Sequence, residues 1–165
     1  MRISVRQATA SDAAVVADIL QEASRFADST LGVVMWELNE LAAKHIGAEI
    51  ARGQFFLADA DGEPAGVIRF QLEDQLFWPD LPNPEQSAFV HRLGVRRSVA
   101  GRGVSTALLQ WAVDHARTLD KKYLRLDCDA SRDRLRAMYE RVGFRLHSYR
   151  QVGPYYVGRY EYELR

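Results

Sequence analysis

The sequence predicts a mixed α/β sheet with a βαβ unit at its centre. Two-residue alternation and helical stripes follow one another along the chain in the order β-α-α-β-β-β-α-β-α-β-β. The strand SAFVHRLGV runs through a basic glycine turn into an amphipathic helix and then into the buried strand YLRLDCD, as a βαβ unit does. With 165 residues and 47% hydrophobic content the chain can bury one core. No repeat, linker or low-complexity tract divides it, so residues 1–165 are read as one domain.

Each element has a local cause. RISVRQA alternates as a strand. Thr9 and Asp12 then stand at capping-box spacing ahead of Val15, Val16, Ile19, Leu20 and Ala23, which share one helical face. A second helix is expected over residues 36–51, with Leu38, Leu41, His45 and Ile50 inward. QFFLADADGEPAGVIRFQLED reads as a hairpin around Asp61–Gly62. LFWPDLPNPEQ holds three of the five prolines and is expected to be a loop. The helix after the glycine turn should bury Val104, Ala107, Leu108, Trp111, His115 and Leu119. Leu124, Leu126 and Cys128 share a face of the next strand. A short helix follows, with Leu135, Met138, Tyr139 and Val142 inward and Gly143 as its stop. Two strands close the chain.

Composition narrows the function. Lysine plus arginine, 22, equals aspartate plus glutamate, 22, which argues against a nucleic-acid binder. The N-terminal MRISVRQATASD has no apolar h-region, and no run reaches membrane-span length. One cysteine allows no disulfide framework, and no Cys/His metal spacing occurs. The expectation is a cytoplasmic protein without metal, membrane or nucleic-acid partner.

The glycine turn is the most informative stretch. A helix N-terminus presents unpaired N–H groups and partial positive charge, and glycines let an anion approach closely. Arg96, Arg97 and Arg102 add charge beside Gly101 and Gly103. The turn could instead be only a tight bend with solvated arginines. A dinucleotide site would read Gly101 and Gly103 with Asp127 as the ribose acid, but Thr106 replaces the third glycine and too few βα units remain. No Lys-Ser or Lys-Thr pair supports a Walker loop.

AGRGVS, Ala100 to Ser105, resembles the phosphate-binding motif Arg/Gln-x-x-Gly-x-Gly/Ala of the GNAT superfamily of acetyl-CoA-dependent N-acetyltransferases. LRLDCDASRDRLRAMYERVGF is similar to that family's later motif, with Tyr139, Gly143 and Phe144 in its Tyr-x-x-x-Gly-Phe. The resemblance covers residues 3–165. It implies a mostly antiparallel sheet flanked by helices, with a splayed strand pair, and acetyl-CoA as cosubstrate. It places the pyrophosphate on the amides around Gly101, Arg102, Gly103, Val104, Ser105 and Thr106, with Arg97 in support. Backbone groups of Leu93 and Val95 would hold the pantetheine arm. Three positions depart from the pattern: Ala100, Ser105, and Arg132 where an Asn often contacts the cofactor.

The resemblance further implies direct transfer of acetyl to a primary amine of a small molecule, with Tyr139 protonating the departing thiolate. The simpler reading of Tyr139 is a core side chain. His91 is the candidate base, because an imidazole titrates near neutral pH and HRLGV resembles a His-x-Leu-Ala-Val stretch of some family members. Strand alternation would put Phe89, His91, Leu93 and Val95 on one face. His91 could equally be a strand histidine bonded to backbone, with Glu73 or Asp74 ending a water chain instead. Phe26, Trp36, Trp78, Tyr155 and Tyr156 are candidate acceptor walls, with packing as the alternative. Asp74, Asp80 and Glu85 suggest an acidic rim suited to a cationic amine. A protein or peptide α-amino group, a catalytically weak acyl-CoA sensor and a homodimer remain open alternatives.

Overall fold

The computed structural model describes residues Met1–Arg165. Seven strands form a mostly antiparallel open sheet in the order β1-β2-β3-β4-β5-β7-β6: β1 (Ile3–Gln7), β2 (Phe55–Ala60), β3 (Glu63–Gln71), β4 (Ser87–Val95), β5 (Tyr123–Asp129), β6 (Arg145–Val152) and β7 (Tyr155–Glu163). The helices are α1 (Ala13–Leu31), α2 (Ala43–Ala51), α3 (Val104–Thr118) and α4 (Asp133–Val142). Their order along the chain is the expected one. The chain forms two compact units: residues Met1–Arg69 with Arg92–Leu108, and residues Phe70–His91 with Leu109–Arg165.

In the first unit, the capping box between Thr9 and Asp12 forms as expected, and α1 follows it. Val16, Ile19 and Leu20 of α1 pack with Leu41, Ile46, Ile50, Phe55, Leu57 and Val67 in one apolar cluster. The β2–β3 hairpin turns at Asp61 and Gly62, whose φ values of 51° and 85° are the left-handed pair a two-residue turn requires. The expected helix over 36–51 is broken. Residues Leu38–Leu41 form a 3₁₀ turn, Ala42 is extended at ψ 143°, and the α-helix starts at Ala43. The break shifts the helical phase, so Leu41, Ile46 and Ile50 are buried while Leu38 is 49% exposed and His45 faces solvent.

Gly66 of β3 seats the first turn of α3. A Cβ there would lie 2.8 Å from Val104 Cγ1, 3.1 Å from Leu108 Cδ1 and 3.2 Å from the Gly94 carbonyl oxygen. Neither a β-branched side chain nor a backbone oxygen yields easily. Gly66→Ala is therefore expected to lower stability by about 1–3 kcal/mol, read as the shift in denaturant midpoint at unchanged slope. An unchanged midpoint would show that α3 can retreat without cost.

In the second unit β5 lies between β4 and β7. Ser87, Ala88 and Phe89 pair in parallel with Tyr123, Leu124 and Arg125. All seven residues of β5 pair antiparallel with β7. Leu124, Leu126 and Cys128 are buried as expected. The stripe of α3 is not the expected one. It centres on Leu108, Leu109, Ala112, Val113 and Ala116, small and aliphatic side chains that allow close packing. Trp111 and His115 sit half-buried at its margin, stacked at 4.8 Å, and Leu119 lies past the helix end with 41% exposure. On α4, Tyr139 is the one fully buried member of its expected face. The helix stops at Gly143, whose φ is 122°, and the Phe144 amide donates back to the Tyr139 carbonyl.

Candidate active site

The site grows from the end of the β4–β5 ladder. Pairing stops after Phe89 and Arg125, and two residues further on His91 and Asp127 stand beyond the last pair. Arg92, next in β4, has a φ of 54°, a left-handed conformation rare for a non-glycine residue. Strict alternation therefore does not carry across Arg92, and the shared face expected for His91, Leu93 and Val95 cannot be read from the pleat. Such outliers persist only where surrounding structure enforces them, and they concentrate at functional sites.

His91 stands between two carboxylates. Its Nε2 is 2.8 Å from Asp74 Oδ2, and its Nδ1 is 3.7 Å from Asp127 Oδ2. Asp74 lies in the loop after β3, where its Oδ1 accepts the amides of Leu76 and Phe77, fixing the other oxygen toward the imidazole. The Phe77 ring lies 6.0 Å from the imidazole. The Asp74 and Asp127 side chains are 5% and 8% exposed, and that of His91 is 17% exposed.

The two carboxylates are driven apart electrostatically. Burial opposes ionisation of Asp74, but the hydrogen bond and charge of His91, helped by the two amides, hold its pKa below the usual carboxylate value. Asp127 is pushed up to about 6, chiefly by burial and further by the charge of Asp74, against the opposing pull of His91 and Arg159. With the imidazole protonated, the 2.8 Å His91–Asp74 contact is an ion pair. An imidazole set beside two buried carboxylates is a group able to exchange a proton near neutral pH. Asp74, His91 and Asp127 also bring ligand atoms within 4.8 Å of one another. A metal there would have to displace the 2.8 Å His91–Asp74 contact.

Tyr139 belongs to the same unit. Its ring packs 6.1 Å from Phe144 and 6.0 Å from Tyr160. Burial raises its pKa well above 10, with Cys128 and Asp127 adding to the effect, so the phenol keeps its proton. Burial also lifts the Cys128 thiol to about 12, which leaves it an inert packing group.

In the first unit the glycine turn opens α3. Gly101 and Gly103 have φ of 76° and 90°, with open space where a Cβ would point; conformation alone demands glycine. The Ala107 amide donates to the Gly103 carbonyl, so the amides of Val104, Ser105 and Thr106 precede the first helical bond. Arg102 is exposed beside them. Arg96 is engaged by Asp18 and Glu22. The Arg97 amide donates to Glu22, and its guanidinium lies 3.6 Å over the Phe26 ring.

Several expected acceptor contacts are placed otherwise. Phe26 carries Arg97. Trp36 carries Arg92, 5.6 Å above its ring. Trp78 is 2% exposed and is no surface wall; it lies against Phe89 and His147, with Arg159 at 4.6 Å and Arg125 at 5.3 Å. The acidic rim is largely neutralised within the protein. Asp80 binds Arg159 at 2.7 Å and Arg150 at 3.6 Å, while Asp74 is turned inward to His91. Glu73 and Glu85 are exposed, Tyr155 is half-buried, and Tyr156 stacks on Tyr149 at 5.7 Å. Arg132 stands at the N-cap of α4. Asp127 is the residue that sequence reasoning missed, having met it only as a ribose acid. Its signal was a carboxylate set between Leu126 and Cys128 in a strand otherwise fit for burial.

A family model described as the acetyltransferase (GNAT) family matches residues 16–144. The chain is 35% identical over 103 residues to the uncharacterized N-acetyltransferase YesJ of Bacillus subtilis strain 168, a match spanning 60% of this chain and 57% of that protein. Its fold is similar to that of the PaiA N-acetyltransferase of Thermoplasma acidophilum in complex with coenzyme A, at a TM-score of 0.78, 16% identity and 99% coverage of each chain. It is also similar to YncA of Salmonella typhimurium with its cofactor acetyl-CoA, at a TM-score of 0.75 and 15% identity, covering 100% of this chain and 95% of that one.

Proposed function

The chain belongs to the GNAT acetyltransferase family, and from that premise we propose that it moves acetyl from acetyl-CoA directly to a primary amine of a small molecule. The observation that carries this reading is the His91–Asp74 contact of 2.8 Å just beyond the last β4–β5 pair. In this reading the amides of residues 101–106 hold the pyrophosphate, with Arg97 and Arg102 supplying charge. Backbone groups of Leu93 and Val95 hold the pantetheine arm. His91, fixed by Asp74, removes a proton from the amine, whose nitrogen attacks the thioester carbonyl carbon. The C–S bond then breaks, and Tyr139 gives the thiolate its proton and is reprotonated from the acetylated nitrogen. No covalent enzyme intermediate is needed. In this reading residues 1–165 act as one catalytic domain. No helix is long and apolar enough to cross a membrane.

Calorimetric titration with acetyl-CoA, followed by thiol release across a panel of primary amines, tests the reading. Binding is expected to weaken as salt rises, because exposed arginine charge assists it. Binding without turnover on any amine would favour an acyl-CoA sensor, the reading that Ala100 and Arg132 support. NADH binding with no acetyl-CoA binding would refute both.

A further inference from the structure

Arg159 on β7 is a buried cation, with 4% of its side chain exposed. Taking a guanidinium out of water is unfavourable unless its donors are matched, and here four bonds match them. Nε donates to Ser148 Oγ at 2.8 Å and Nη2 to Asp80 Oδ2 at 3.1 Å. Nη1 donates both to Asp80 Oδ1 at 2.7 Å and to the Phe77 carbonyl oxygen at 3.1 Å. The guanidinium carbon lies 4.6 Å from the centre of the Trp78 ring. A two-pronged grip on a carboxylate is the strongest form such a pair takes. Those bonds hold the Asp80 pKa down at about 2, so the pair stays ionised through the working pH range.

Stability alone does not call for this arrangement. A buried pair is often no more stabilising than apolar residues of similar size, and Trp78 also packs against Phe89 and His147. What the pair adds is a fixed point on a segment with few of its own. Residues 72–83, ahead of the 3₁₀ turn at Pro84–Gln86, form no strand or helix, and Pro79 and Pro82 bring no backbone N–H. Arg159, by contrast, is set in the sheet, opposite Asp127 of β5 on one side and Ser148 of β6 on the other.

Phe77 connects the clamp to the site. Its carbonyl oxygen is held by Arg159, and its amide donates to Asp74 Oδ1 at 2.9 Å. A carboxylate is planar, so fixing Oδ1 on the Leu76 and Phe77 amides directs Oδ2 toward His91 Nε2, 2.8 Å away. The path from β7 to the imidazole is continuous, through the Phe77 backbone and Asp74.

Resting on the proposed role of His91 as base, we propose that Arg159 and Asp80 are positioning residues for acetyl transfer. Their clamp on the Phe77 backbone keeps Asp74 aimed at His91, and loss of the clamp slows proton removal from the acceptor amine. Neither residue takes or gives a proton itself.

The test uses Asp80→Asn, because the charge of Arg159 also acts on Asp127 and is best left in place. Asn keeps the side-chain shape, but its NH₂ cannot accept from Nη2, so the fork is lost. The acceptor is phenethylamine, or whichever alkyl amine of the panel turns over fastest. At pH 7 and saturating acetyl-CoA, kcat is expected to fall about tenfold, with the acetyl-CoA Kd within about twofold of wild type. At pH 9, where far more of the amine is already neutral, the difference should shrink to less than about threefold. Asp80→Glu, which restores the charge and both oxygens, should recover part of the pH 7 loss. In a His91→Ala background Asp80→Asn should lower kcat no further, because the group it positions is gone. Independently of turnover, the His91 ring signals in NMR spectra should shift in Asp80→Asn, while those of exposed His45 stay. Should Asp80→Asn not fold, Arg159→Lys keeps the charge without the fork and faces the same comparisons. An equal fall in kcat at both pH values, a full additional fall in the His91→Ala background, or unshifted His91 signals would make the clamp purely structural and overturn the proposal. A slow His91→Ala beside an unimpaired Asp80→Asn would sink the clamp alone. If His91→Ala runs at the wild-type rate, or wild type acetylates no amine, the acetyl-transfer reading fails and the proposal falls with it.

Discussion

Tyr139→Phe is expected to lower kcat about a hundredfold, the scale of one positioned acid, with little change in acetyl-CoA affinity or stability. The substitution removes a hydroxyl and keeps the ring, whose packing against Phe144 and Tyr160 needs only its carbon faces. Burial keeps the phenol protonated throughout the working range, so it can serve as a donor and not as a base. The same burial makes it a weaker acid than a thiol of pKa near 8.5. Transfer to the thiolate is thus uphill unless the phenol recovers a proton from the acetylated nitrogen in the same event. A solvent isotope effect on wild-type kcat that the variant lacks would support that coupling. Unchanged kcat in the variant would return Tyr139 to the core, where its burial already gives it a structural purpose.

The sequence revealed those features with local causes. The capping box at Thr9–Asp12, the Asp61–Gly62 turn and the proline-rich loop are written in residues a few positions apart, and each formed where expected. Gly101 and Gly103 were legible for the same reason, because a left-handed backbone leaves glycine as the natural choice. Misreadings arose where one period was carried too far. The extended Ala42 resets the helical phase before α2, and the left-handed Arg92 breaks alternation in β4. On α3 the largest apolar side chain, Trp111, drew attention from the alanines that fit the buried stripe.

The candidate site was only half legible. His91 and Asp74 could be singled out from their residue types and their places at strand ends. That they touch depends on the Leu76 and Phe77 amides turning Asp74 inward, a loop geometry with no periodic signal. Long-range charge pairing was equally hidden. The sequence offers Asp80 as an open rim acid, whereas Arg159, 79 residues away, holds it. Asp127 carried a signal, an acid among buried apolar neighbours, but its nearness to His91 depends on where the β4–β5 pairing stops.

The most direct measurement is the pH–rate profile of acetyl transfer to the best alkyl amine, for wild type and His91→Ala at saturating acetyl-CoA. An alkyl amine of pKa near 10 is only about one part in a thousand neutral at pH 7, so an enzyme using it there must take the proton itself. The proposed mechanism gives that task to His91, whose Nε2 lies 2.8 Å from Asp74 Oδ2. Wild type is expected to lose rate on the acid side as His91 takes up a proton. The variant should lack that limb, run about a hundredfold slower at pH 7, and recover most of the difference by pH 9, where far more of the amine is already neutral. Two superimposable profiles would contradict the assignment and leave His91 a structural partner of Asp74.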